Sequence, residues 1–181
     1  MFMLERERID STFKKVKGQT ANFLTLINLS LGALALLFMI NEDLKTGFIL
    51  IFLAGLFDRF DGMVARKLNI ESEFGKQLDS LCDLISFGIA PAFLIYQVVL
   101  HQFGVPGMIF TIIFIVCGAI RLARFNITEF TGSFVGVPIT VAGCLLATGY
   151  LTVNLVPGFF YMFLSIVLSV LMISTISIEK R

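Results

Sequence analysis

Four aspartates, Asp58, Asp61, Asp79 and Asp83, stand inside otherwise apolar stretches, FDRFDGMVARK and FGKQLDSLCDLISFG. A carboxylate in a membrane helix costs roughly 2.5–3.5 kcal/mol at the helix centre, and four unpaired ones would also repel one another. Their spacing shows what offsets that cost. Asp58, Asp61, Gly62, Ala65 and Arg66 stand at i, i+3, i+4, i+7 and i+8, one face of one helix. Gly75, Asp79 and Asp83 stand at i, i+4 and i+8, one face of the next. A short loop makes the two helices antiparallel neighbours whose acidic faces converge. Carboxylates converging at one depth call for divalent cations, and an all-oxygen donor set selects magnesium, manganese or calcium over zinc. Two such ions would balance the four charges. Gly62, Ala65 and Gly75 clear both faces for a closely approaching ligand, and Arg66 adds a cation suited to phosphate. The chemistry that follows is phosphoryl transfer on a diphosphate-bearing substrate, assisted by two metals.

The elements that must position these residues are membrane helices. Of 181 residues, 57% are hydrophobic and 15% charged, with a mean hydropathy of +0.91. A soluble domain is about half apolar and about a quarter charged. No charged residue occurs from Asn22 to Asn41 or from Phe130 to Ile178, and about 20 apolar helical residues cross a bilayer. Hydropathy predicts spans at Asn22–Ile40, Thr46–Arg66, Gly75–Leu100, Pro106–Arg124, Phe134–Val153 and Phe159–Ile178. The expected fold is all-α and integral to the membrane. A single domain over 1–181 comprises an amphipathic interfacial helix at 1–17, with Phe2, Ile9, Phe13 and Val16 on one face, and a six-span bundle at 18–181. Pro91 falls inside the third span and is expected to kink it.

This topology puts both termini on one side together with Arg6, Arg8, Lys14, Lys15, Lys17, Arg59, Arg66, Lys67, Lys76, Arg121, Arg124, Lys180 and Arg181. Only Lys45 falls on the other. Such asymmetry makes the basic side cytoplasmic, so both termini and the acid cluster are expected at the cytoplasmic face of the cell (inner) membrane. Cys82, Cys117 and Cys144 lack paired spacing and read as small apolar residues, not a zinc site. The 20 phenylalanines read as lipid-facing and core packing, and no nucleic-acid partner is expected.

The pattern Asp58-x2-Asp61-Gly62-x2-Ala65-Arg66-x8-Gly75-x3-Asp79-x3-Asp83 resembles the CDP-alcohol phosphotransferase motif at every fixed position, gap lengths included. The resemblance implies that Asp58, Asp61 and Asp79 hold Mg2+ or Mn2+, two ions per site, against a CDP diphosphate. It makes Asp83 both a metal ligand and the catalytic base that deprotonates the acceptor hydroxyl. It also implies release of CMP and a homodimer in contact with membrane lipids.

Two further stretches, LDSLCDLISFGIAPA and CGAIRLARFN followed by Gly136-Val137-Pro138, resemble the phosphatidylserine synthase branch of that family. CDP-diacylglycerol and L-serine are then the implied substrates. Asn22, Thr25 and Asn28 resemble the branch's first span; three residues apart, they are placed to reach nucleotide or metal-ligand oxygens, beside Gly62, Ala65, Arg66 and Gly75. Arg121 and Arg124, one turn apart, are candidates for the serine carboxylate, or ordinary cytoplasmic anchors; Asn126 is a helix cap or a substrate group. Two arginines would equally suit glycerol 3-phosphate, and inositol is a further acceptor for the same chemistry. A cation transporter is the alternative of another class, but it would carry its acids near the midplane.

Overall fold

The computed structural model describes residues 22–68, 72–127, 134–174 and 177–178, with backbone alone at 61, 64–68, 134–135 and 177–178. The expected interfacial helix at 1–17 lies outside the described residues. Among the described residues the structure is all-α apart from one pair of two-residue strands. In order the elements are α1 (Asn22–Ile40), α2 (Leu44–Leu68), α3 (Glu73–Val98), α4 (Val105–Ile127), β1 (Phe134–Val135), α5 (Ile139–Thr152), α6 (Phe159–Ile173) and β2 (Ser177–Ile178).

α1, α3 and α4 are long and apolar enough to cross a membrane. α2 has the length, at 25 residues, but its C-terminal end carries the charged FDRFDGMVARK stretch; the end of the bundle where this stretch lies is called inner below, as a label only, and the opposite end outer. α5 and α6, at 14 and 15 residues, are shorter than the spans read from hydropathy. The difference has a backbone cause that hydropathy does not register. Gly136 adopts a φ of +77°, and Pro138 is the N-cap of α5, so residues 134–138 form an extended approach to the helix. That approach pairs with the segment after α6: Phe134 is opposite Ile178 and Val135 opposite Ser177 in an antiparallel bridge. The backbone N–H of Val137 donates to the Leu171 carbonyl at 3.1 Å.

α1 ends in a tight turn with Glu42 at a φ of +65°, where the Asp43 N–H reaches back to the Phe38 carbonyl at 3.0 Å. A carboxylate oxygen of Asp43 then accepts from the Thr46 N–H at 3.1 Å and caps α2. Hydrogen bonds from Thr46, side chain first and backbone second, hold the Asp43 carboxyl below its ordinary range.

α3 is not regular. It is α-helical over Glu73–Asp83, π-helical over Leu84–Ile89 and α-helical again over Ala90–Val98. The expected irregularity at Pro91 therefore takes the form of a widened turn just before it. A proline has no N–H to offer the carbonyl four residues back, here that of Phe87, and the Ala90 N–H bonds the Ile85 carbonyl, five residues back. α5 packs directly on this widened turn. A Cβ on Gly143 would collide with the Phe87 carbonyl oxygen, and one on Gly32 of α1 would collide with Ser86 Oγ.

Two apolar clusters fill the bundle. The larger joins Ala54 of α2, Phe87 and Ile95 of α3, Phe114 and Leu122 of α4, Ile139 and Leu146 of α5, and Tyr161 and Leu168 of α6. The smaller, at the outer end, joins Ala35 and Met39 of α1 to Ile51, Ala90, Leu94 and Ala147. Buried hydroxyls within this core are satisfied locally: Ser165 and Ser169 donate to the carbonyls of Tyr161 and Ser165 at 2.8 and 2.7 Å.

A polar lock joins the inner ends of α3 and α4. The Asn126 amide donates to Gln77 Oε1 and accepts from Ser80 Oγ, both at 3.1 Å. Its backbone carbonyl accepts from Lys76 Nζ at 3.1 Å, and the ammonium lies 5.4 Å from the Phe125 ring centroid. Ser80 Oγ thus bonds across to α4 as well as to the Lys76 carbonyl of its own helix.

Two outcomes follow. Gly143→Val should destabilise the fold by about 1–3 kcal/mol, the usual cost of forcing extra methyl groups into a packed contact, whereas Gly104→Ala, open to space, should cost only the strain of its positive φ. Asn126→Ala should cost about 1–3 kcal/mol by leaving Gln77 and Ser80 with one partner fewer. Asn126→Asp, which retains an acceptor for Ser80, should cost less than Asn126→Ala. Thermal unfolding in detergent reads each change.

Candidate active site

Asp58 comes from the inner half of α2, and Asp79 and Asp83 from successive turns of α3. Ser72 starts α3 as its N-cap, its hydroxyl accepting from the Gly75 N–H at 3.0 Å, and this sets the register that carries Asp79 and Asp83 to one face. The structure brings three of the four aspartates together: one carboxylate oxygen from each of Asp58, Asp79 and Asp83 lies within 4.8 Å of the others. Asp83 is buried and the other two are partly buried. Asp61 is one turn beyond Asp58 on α2, and its side chain lies outside the described residues.

Asp58 and Asp83 face each other across the two helices, and Thr140 of α5 lies beside Asp58 as well. Oxygen atoms of three acids gathered in this way form an all-oxygen donor set of the kind that suits a hard divalent cation. The donor set fits such an ion, and Asp58, Asp79 and Asp83 are the described residues that would hold it.

The α1 residues meet α3 in chain order on either side of its acids, Asn22 at Gly75 and Asn28 at Ser86. Asn22 Oδ1 would lie 3.2 Å from a Cβ on Gly75, so the bare Gly75 lets α1 approach α3 as well as exposing the acidic face. Thr25 and Asn28 are both buried. The Asn28 carbonyl accepts from Ser86 Oγ at 3.1 Å, while its side-chain amide, fully buried, has neither nitrogen nor oxygen hydrogen-bonded. A buried amide without partners costs about 1–3 kcal/mol, and a polar ligand entering beside it would relieve that cost. Gly62 is partly buried on α2, and the side chains of Ala65 and Arg66 lie outside the described residues.

The two arginines of α4 occupy different surroundings despite standing one turn apart. Arg121 is partly buried and close enough to Asp83 to be under its charge, and its Nε has no hydrogen-bond partner. Arg124 is exposed, and its Nη1 donates to the Ile173 carbonyl at 3.0 Å, at the end of α6. A cation on the last carbonyls of a helix meets the negative end of its dipole. Asn126 has both ends of its amide engaged in the α3–α4 lock. Thr140 is the residue that the motif does not include. Its one sequence signal is a hydroxyl two residues after Pro138, where the prolyl N-cap begins a helix. Cys82, Cys117 and Cys144 form no disulfide, and His101 sits at the outer turn, its Nδ1 paired with the Tyr96 carbonyl at 3.3 Å.

The profile of the CDP-alcohol phosphatidyltransferase family matches residues 19–174. An archaetidylserine synthase of Methanothermobacter thermautotrophicus is 42% identical over 167 residues, covering 88% of this chain and 69% of its own. A CDP-diacylglycerol–serine O-phosphatidyltransferase of Methanocaldococcus jannaschii is 40% identical over 161 residues, covering 88% and 73%. One from Bacillus subtilis is 37% identical over 132 residues, covering 72% and 75%. With its acid-bearing helix pair and a profile match running from α1 to the end of α6, the chain belongs to the CDP-alcohol phosphatidyltransferase family.

Proposed function

We propose that this chain transfers the phosphatidyl group of CDP-diacylglycerol to the hydroxyl of L-serine, giving phosphatidylserine and CMP. The observation that carries the reading is the meeting of Asp58, Asp79 and Asp83 within 4.8 Å, with Arg121 beside Asp83. The names of the relatives supply the serine acceptor; they share that headgroup and differ in the lipid that carries it.

In this reading Asp58, Asp61, Asp79 and Asp83 hold two ions of Mg2+ or Mn2+. Bound there, the cations offset the charge of the diphosphate and of the departing CMP. The serine oxygen attacks the lipid-side phosphorus, the bond from that phosphorus to the CMP oxygen breaks, and the hydroxyl proton passes to the Asp83 carboxylate. Arg66, with the small residues Gly62, Ala65 and Gly75, is assigned to the diphosphate by its place in the motif. Asn22, Thr25 and Asn28 serve the nucleotide side, the Asn28 amide offering one donor and one acceptor group. Arg121 takes the serine carboxylate, because its guanidinium lies beside the base and its Nε is uncommitted. Arg124 and Asn126 support that site from the end of α4, through the bonds they make to α6 and α3.

The membrane arrangement belongs to the same proposal: a single domain over 1–181 with six spans, both termini and the site on the cytoplasmic face of the cell (inner) membrane, working as a homodimer. The positive-inside distribution of Lys and Arg supports the orientation.

The deciding assay offers purified protein CDP-diacylglycerol with L-serine, glycerol 3-phosphate and inositol in parallel, with Mg2+ or Mn2+. Phosphatidylserine as the sole lipid product is expected; a different headgroup would replace serine in the proposal. A second arm with an ether-linked CDP lipid compares the two lipid classes in the relatives' names. Asp83→Asn should lower kcat by about 100-fold or more, the contribution of a positioned base, while CDP-diacylglycerol binding persists. Arg121→Ala should raise the KM for serine roughly tenfold or more, as loss of a charge-assisted bond does. Arg124→Ala should act mainly on thermal stability. Equal KM effects from the two arginine variants would place the carboxylate elsewhere.

A further inference from the structure

Thr140 lies in the first turn of α5, two residues after the Pro138 N-cap, and is partly buried. Its side chain is placed beside the Asp58 carboxylate. A separate contact shows that helix packing enforces this pairing. One turn deeper in the bundle, a Cβ on Gly55 of α2 would lie 3.7 Å from Cys144 Sγ of α5. Asp58 is three residues after Gly55, and Thr140 is four residues before Cys144. Antiparallel helices that touch at 55 and 144 therefore present 58 and 140 to each other on the next turn.

The segment that delivers Thr140 is itself anchored. Val137 donates to the Leu171 carbonyl at 3.1 Å. Gly136, at a φ of +77°, is surrounded by the carbonyls of Met172, Ser174 and Leu171, which leave no room for a side chain. The start of α5 is thus fixed against the end of α6, and the backbone of Thr140 cannot move away from Asp58 without moving both helices.

A threonine hydroxyl carries one proton, and toward an ionised carboxylate it can only donate. A bond donated to Asp58 would restrain rotation of its carboxylate while leaving its charge and remaining lone pairs for another ligand. Outer hydrogen bonds of this kind orient metal ligands, and losing one typically costs about 10–100-fold in metal affinity. We propose that Thr140 is a positioning residue for the divalent-metal site, its hydroxyl orienting Asp58 for cation binding. The proposal rests on reading Asp58, Asp79 and Asp83 as that site.

The test is direct Mn2+ binding to purified full-length protein in detergent, followed by the loss of the free-ion electron paramagnetic resonance signal, with thermal unfolding in chelator as the control for folding. Thr140→Val, which keeps the shape and removes the hydroxyl, should weaken Mn2+ binding by about tenfold or more. Its metal-free unfolding temperature should stay near that of the parent. Thr140→Ser, which restores the donor, should bind within about twofold of the parent. Parental Mn2+ affinity in Thr140→Val, with binding lost in Asp58→Asn, would overturn the role of Thr140 and leave the metal site standing. An equal loss in Thr140→Val and Thr140→Ser would also overturn it, because side-chain volume and not the hydroxyl would then be responsible. Parental binding in Asp58→Asn would overturn the site reading and this proposal with it.

Discussion

Three carboxylates held in one small volume between two helices, one buried and two partly buried, constrain everything around them. At the 4.8 Å limit of their separation and an effective dielectric of about 20, each ionised pair repels by roughly 3–4 kcal/mol. Left to themselves α2 and α3 would separate or rotate to relieve it. The surrounding structure prevents that by contacts with little slack. Asn126 holds the inner end of α3 to α4, Gly143 lets α5 rest on the backbone of α3, and Gly75 admits α1 to the other side. The bundle is rigid where the acids meet. A cation entering such a site gains the favourable Coulomb energy without the cost of gathering its ligands, which is the sense in which the site is preorganised.

The inner end of α4 shows how neighbouring residues of like chemistry separate into different tasks. Arg121 looks toward the acids, whereas Arg124, three residues on, reaches the last carbonyls of α6. Helical rotation of about 100° per residue carries two arginines one turn apart to somewhat different bearings, and the neighbours at each bearing do the rest. The acid cluster, the arginine beside it and the end of α6 thereby form one connected structure, with α4 as the common strut.

Much of the bundle was legible in the amino-acid order because its strongest signals are local. Uncharged runs marked the helices, and acids three apart on one helix and four apart on the next marked the two faces that meet. What escaped reading depended on partners distant in sequence or on backbone geometry. Thr140 stands within an uncharged run and acquires meaning only because α2 packs beside α5. The difference between Arg121 and Arg124 is set by α6, some fifty residues away in the chain. The lengths of α5 and α6 were overread because hydropathy counts Phe134 and Val135 as apolar and is blind to the positive φ of Gly136. The buried Asn28 amide is a case where one-dimensional spacing named the residue, but only packing shows it to be unsatisfied.

The widened turn at Leu84–Ile89 changes how α3 must be drawn. A π-turn accommodates about one residue more than the α-helix it interrupts, so a helical wheel started at Glu73 slips by roughly 100° once it passes Asp83. The acidic stripe of the inner half and the apolar stripe of Ala90 and Leu94 in the outer half are two faces with separate phases. One helix can thereby serve a polar site at its inner end and a dry packing surface at its outer end, each aimed independently. Deleting a single residue within the turn would bring the two halves back into phase and force one of them to face the wrong neighbour.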